Sequence, residues 1–157
     1  MSGPDARTTT RELPGFQSDG NLPSGIYRTT IGEIRAKLGW NDHRLRLIEG
    51  LSRAAASLGR SGVRWLWVAG SFVTSKAEPN DIDGFWEATY GMNARLLDPV
   101  FLDDTSPRQA MKDKYGVDFL IASPYMPQAK SEYCDFYRTD REGHSRGILM
   151  IELECGI

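Results

Sequence analysis

The run Val63-Arg64-Trp65-Leu66-Trp67-Val68-Ala69 is short, β-branched and aromatic, and it predicts a buried strand. Three further stretches read the same way: Asp81 to Glu87, Val117 to Ala122 and Gly147 to Leu153. Between and before them the apolar period lengthens. Leu45, Ile48, Leu51, Ala55 and Leu58 recur at helical spacing, predicting a helix from Asn41 or Asp42 to about Leu58 with these residues on its buried face. Gly59 and Gly62 end it. Thr29 or Thr30 caps a shorter helix through Leu38, with Glu33 placed for a capping box from Thr30. Ser106-Pro107 starts another helix that Gly116 ends, Ser131 to Tyr137 is a weaker helical stretch, and Pro99 limits any helix over 92–102. The pattern predicts an α/β (α+β) fold: a small mixed sheet of about four strands with helices mainly on one face.

Residues 1–21 are polar and rich in Gly, Pro, Thr and Asp, a flexible N-terminal arm by composition. Residues 22–157 then form a single domain, which the length allows. A net charge of −2 gives no global attraction to nucleic acid or membrane. No apolar run reaches the ~20 residues of a membrane span, and no secretory h-region is visible. Cys134 and Cys155 are far apart and unclustered, so they read as thiols in a reducing compartment, with the cytoplasm as the expected location.

The chemistry concentrates after the first buried strand. Gly70-Ser71 closes that strand with a tight turn, and Phe72 to Lys76 can form one helical turn before Glu78-Pro79-Asn80 breaks it. Asp81 and Asp83 are two apart, so on a strand their carboxylates share one face. Like charges so placed repel, and a divalent cation is the obvious reason to keep them. Rival Asp-x-Asp chemistries fit poorly. A calcium loop counted from Asp81 would put Trp86 and Met92 where glycine and glutamate belong. A dehalogenase-type nucleophile would follow an apolar strand, but Ala77-Glu78-Pro79-Asn80 is not one.

This arrangement resembles the nucleotidyltransferase superfamily, the DNA polymerase β-like fold. Its signature is a Gly-Ser turn after a strand, about ten residues, then acidic-apolar-acidic, with a third carboxylate from a later strand. Asp118 in Val117-Asp118-Phe119-Leu120-Ile121-Ala122 fits that third place. The chain is more closely similar to an uncharacterised bacterial family of small nucleotidyltransferase-like proteins. That likeness runs from Leu22-Pro23-Ser24-Gly25-Ile26-Tyr27 through Gly70 to Lys76 and Pro79-Asn80-Asp81-Ile82-Asp83 to Arg146-Gly147-Ile148-Leu149-Met150-Ile151, covering about residues 22–153. Gly84 departs from the branched apolar residue usual after the acidic pair.

The resemblance implies Mg²⁺- or Mn²⁺-dependent transfer of a nucleoside monophosphate from a nucleoside triphosphate. The acceptor, a protein side chain, an RNA end or a small molecule, stays open. Asp81, Asp83 and Asp118 would be the catalytic and metal-holding acids. Gly70, Ser71, Thr74 and Lys76 would contact the nucleotide, although Lys76 fits a solvated surface lysine equally well. A protein partner or a second copy is expected to supply acceptor recognition, and small proteins of this kind also occur in toxin–antitoxin pairs. Two alternatives remain: an inactive nucleotide-binding or protein-interaction module of the same fold, and an Asp118 paired structurally with an arginine. Arg46, Arg53 and Arg60 form a row that suits either a nucleic-acid backbone or plain solvent. His43 and His144 lack metal-ligand spacing, and Trp65, Trp67 and Trp86 suit core positions.

Overall fold

A computed structural model of the chain describes residues 8–9 and 12–154. Its elements in order are β1 (Thr8–Thr9), β2 (Gly25–Thr29), α1 (Ile31–Leu38), α2 (Asp42–Arg60), β3 (Trp65–Ala69), β4 (Ile82–Glu87), α3 (Gln109–Tyr115), β5 (Val117–Ala122), α4 (Ala129–Tyr137) and β6 (Gly147–Glu152). Short 3₁₀ turns cover Gly70–Val73, Ala94–Leu96 and Pro99–Leu102.

The strands form one mixed sheet in the order β1-β2-β6-β3-β4-β5. Its centre, β6-β3-β4, is antiparallel, while β2 runs parallel to β6 and β5 parallel to β4. Among the described residues the sheet therefore has six strands, two more than the roughly four expected. The expected four are all present, and β1 and β2 are the additions. Gly25-Ile26-Tyr27-Arg28-Thr29 buries only Ile26 and Thr29, so its pattern carries little strand signal. Pairing along the length of β6 makes it a strand.

Helices α1, α2 and α3 cover one face. Ile34, Leu38, Ile48, Leu51, Leu58, Met111 and Tyr115 pack there on Leu66, Val68, Ile82, Trp86, Val117 and Phe119. The other face carries α4, where Tyr133 and Tyr137 pack with Trp67, Phe85 and Met150. Trp65, Trp67 and Trp86 are all buried, as core aromatics should be. The apolar stripe of α2 differs from expectation in one place. Leu45 is 39% exposed, and Leu47 and Ala54 take its place on the buried face. Arg46, Arg53 and Arg60 point to solvent.

Both caps of the first two helices form as the sequence suggests. The Thr30 side chain accepts from the Glu33 amide, and Asn41 accepts from the Arg44 amide. Helix α3 starts two residues later than Ser106-Pro107 implies, because Arg108 adopts a left-handed conformation with φ 52°. Gly116, at φ 69°, ends it in the left-handed cap expected of glycine. Residues 12–21, assigned by composition to the arm, lie against the domain: Leu13 and Asn21 are buried. The rest of the expected arm except residues 8–9, and Cys155, lie outside the described residues.

Candidate functional site

Register places the acids. Asp83 lies opposite Asp118 on the parallel pair β4 and β5, and Asp81 stands just ahead of β4 in the same phase as Asp83. Val117 and Phe119 point into the helix-covered core, so Asp118 faces the opposite side, with Asp83 and Phe85. Each acid offers a carboxylate oxygen within 4.8 Å of the others, and all three are half-buried. The three acids singled out in the sequence thus converge, and Asp118 does not enter the apolar core.

Gly70 follows β3 at the same edge. It has φ 75°, and a Cβ placed there would fall 2.2 Å from Oδ2 of Asp83. Both the turn and the close approach of the acid require glycine. Gly84 is likewise held tightly: a Cβ there would lie 2.1 Å from the Trp67 carbonyl. The missing side chain makes room for the neighbouring strand.

The loop from Ser71 to Lys76 is organised from within and below. Thr74 is buried; its hydroxyl donates to the Ser71 carbonyl at 2.6 Å and accepts from the Lys76 amide at 3.1 Å. The Ser75 amide donates to the Gly20 carbonyl at 2.8 Å. Beneath the loop sits Arg44, fully buried. It donates to the Phe72 carbonyl, to Lys76 O at 2.6 Å and to Leu38 O at 2.5 Å. Its guanidinium lies 4.0 Å from the Trp40 ring centre and 4.6 Å from that of Phe72. Burial pushes its pKa down to about 10, so it stays charged at neutral pH. Asn41 and His43, at the same helix end, reach the Ala77 and Pro79 carbonyls at 2.8 Å and 2.5 Å. The start of α2 thereby clamps residues 72–79.

Two cations balance the acids. Arg108 pairs directly with Asp118. Lys112, one helical turn on, places Nζ 3.7 Å from Asp118 and 3.8 Å from Asp81. The arginine partner weighed for Asp118 in the sequence is therefore present, beside the other two acids. Burial raises the Asp83 pKa to about 7, and the neighbouring Asp81 and Asp118 charges push the same way. Asp81 is raised too, mainly by burial, with Lys112 opposing. Burial also raises the Tyr137 hydroxyl, which feels Asp83 and Asp118.

Asp83, Gly70, Ser71, Thr74 and Lys76 line an open cleft of about 1130 Å³. All four expected nucleotide-contacting residues thus border it. Asp81 and Asp118 lie behind Asp83 and outside its lining. The opposite wall is the segment after α4, where Asp140 accepts from the Glu142 and His144 amides and from Asn21. Arg146 and the 70% exposed Phe136 also border the cleft. His43 and His144 serve the loop clamp and the cleft wall, and neither joins the acid cluster.

Arg44, Arg108, Lys112, Tyr137 and Arg146 are the residues that sequence reasoning passed over. Arg44 left a signal, since it falls one turn before Leu47 and Ile48 on the apolar stripe of α2. Arg108 and Lys112 are four apart at the start of the helix leading into Asp118, so they share a face. Arg146 opens the stretch that carried the family likeness but had no role read for it, and Tyr137 gave no local signal.

Among the described residues, no helix is long and apolar enough to cross a membrane. Comparison with curated proteins and with solved structures finds no match. A family described as one of unknown function, DUF6932, matches residues 14–152. That span takes in both walls of the cleft and every acid of the cluster, and the chain belongs to this family.

Proposed function

We propose that the protein is a nucleotidyltransferase, moving a nucleoside monophosphate from a nucleoside triphosphate to an acceptor hydroxyl with release of pyrophosphate. The carrying observation is the convergence of Asp81, Asp83 and Asp118 within 4.8 Å beside the Gly70–Ser71 turn. Three carboxylates are a hard oxygen donor set of the kind Mg²⁺ or Mn²⁺ takes. Such an ion would neutralise charge developing on the phosphate during transfer.

The chain's own groups divide the remaining work. Asp81, Asp83 and Asp118 would hold the ion. Asp118 would also help orient the acceptor hydroxyl or take its proton. The Ser71 and Phe72 amides and the Ser71 hydroxyl would bind terminal phosphate oxygens. Thr74 shapes that turn through its two hydrogen bonds. Lys76 and Arg146 border the cleft and would draw the polyphosphate in. The domain has little room for acceptor recognition, so a partner or second copy would provide it. A cytoplasmic location fits a nucleotide-consuming reaction, and a toxin–antitoxin or defence role belongs to the same reading.

One observation favours a second reading, a nucleotide-binding or interaction module without catalysis: the Arg108–Asp118 pair satisfies that acid with no ion at all. Incubation with each labelled nucleoside triphosphate, Mg²⁺ or Mn²⁺ and cell extract separates the two. The proposal expects labelled protein, RNA or small molecule, with incorporation falling at least about a hundredfold in Asp83→Asn. Nucleotide binding without incorporation in any fraction would leave the module reading in its place.

A further inference from the structure

We propose that Arg108, with Lys112 beside it, is an exchangeable cation of the acid cluster. It holds Asp118 when no divalent ion is bound and is released to the substrate's phosphate when one enters. The inference rests on the nucleotidyltransferase reading and adds an order to it: cation first, polyphosphate second.

Three observations carry it. The first is backbone conformation. Arg108 is the only residue other than glycine with positive φ among the described residues. An arginine there costs free energy unless its side chain gains something, and strained residues gather where a side chain must be aimed. Here the gain is the contact with Asp118.

The second is access. The Arg108 side chain is 15% exposed and Lys112 28% exposed. Both bind carboxylates at the edge strand β5 and can leave them without breaking a backbone ladder. Arg44 shows the contrast, since its donors are spent on carbonyls inside the fold.

The third is charge. Ionised, the three carboxylates are contacted by two cations, Arg108 and Lys112, so the contacts alone leave one negative charge, with Arg146 acting on Asp83 from the cleft side. In that state it repels a polyphosphate. A divalent ion makes the array positive by one charge and competes with Arg108 for the same Asp118 oxygens. The freed guanidinium then has a planar fork suited to phosphate oxygens. Groups bearing on Arg108 from neighbouring segments are Asp103 and Tyr137, and neither replaces Asp118 as a contact.

Mn²⁺ titration of the full chain, followed by electron paramagnetic resonance, tests the exchange without any activity assay. Arg108→Asn is the main variant, because asparagine tolerates the left-handed conformation. It should bind Mn²⁺ about tenfold more tightly than wild type, since a competing cation is gone. Inorganic tripolyphosphate should show the opposite sign, binding the Mn²⁺-loaded variant about tenfold more weakly than the loaded wild type. If Arg108→Asn does not fold, Lys112→Met should move both affinities in the same two directions. Mn²⁺ affinity unchanged or weakened, or tripolyphosphate affinity unchanged, overturns the exchange and leaves the enzyme reading standing. A wild type that takes up no Mn²⁺ overturns both.

Discussion

Two arginines support parts of the same site without lining its cleft, and they answer different physical problems. Arg44 lies under the 72–79 loop, wholly buried, between two aromatic rings, with its donors on three backbone carbonyls. Arg108 lies at the sheet edge, partly exposed, on a carboxylate. A buried cation bound to carbonyls is part of the frame, because removing it leaves several acceptors unpaired at once. A cation bound to a carboxylate beside other carboxylates is one counter-ion among those that could serve. The loop is thus built rigidly from below, while the acids are contacted by groups that, on the exchange proposed above, another cation would replace.

The sharpest way to break this contrast is Arg44→Met. Methionine fills much of the volume but leaves the Phe72, Lys76 and Leu38 carbonyls without their donor. Stability should fall by about 3–5 kcal/mol, or the chain should fail to fold. Denaturant unfolding checks it, and a loss under about 1 kcal/mol would make Arg44 dispensable to the frame.

Gly70→Ala tests the joint between loop and acids. The new Cβ meets Asp83 Oδ2 at 2.2 Å, on a backbone with φ 75°. The expected cost is about 2–3 kcal/mol, measured by the same unfolding curves. Reversal of that cost in Gly70→Ala combined with Asp83→Ala would assign it to the clash rather than the backbone.

Asp83→Asn should stabilise instead. The folded-state pKa of about 7 lies above the ordinary value of 3.8, so between these values the folded protein holds a proton that the unfolded chain has lost. Stability therefore falls as pH rises from about 4 to about 7, then levels. Replacing the acid should flatten that slope and add on the order of 1–2 kcal/mol at pH 8, given that a one-unit shift corresponds to about 1.4 kcal/mol and the group is not fully buried. Thermal melts across pH decide it; a wild type whose stability rises through this window would contradict the sign.

The smallest effect belongs to the exposed row on α2. Arg53→Ala removes a surface contact to the Lys114 carbonyl at 3.1 Å and should change stability by less than about 0.5 kcal/mol. Salt-dependent binding of RNA or DNA that weakens in Arg53→Ala would instead give the row a partner.

Much of the site was legible because its signals are local. A glycine-serine turn after a strand, an acidic pair two apart and an acid flanked by apolar strand residues each state their geometry within a few residues. Strand phase then fixes which face each acid takes. Arg44 was not legible as a frame residue, although it lies on the apolar stripe. Its partners come from 28 to 32 residues away and from the end of α1, and only packing brings those carbonyls to one point. Leu45 and Leu47 show the same limit on a smaller scale. Both are leucines near the stripe, and helix rotation against the sheet decided which one is buried.

The sequence by itself determined the mixed architecture, four of the six strands, both N-caps, the left-handed glycine stop at Gly116 and the identity of the three acids. Those rest on periodicity, backbone permissiveness and short-range hydrogen bonding. The tertiary structure alone decided the outer strands β1 and β2, the parallel register that sets Asp83 against Asp118, the clamp beneath the loop and the cations at the acids. These depend on contacts between segments distant in the chain, where the free energy comes from surfaces and charges that meet only after folding.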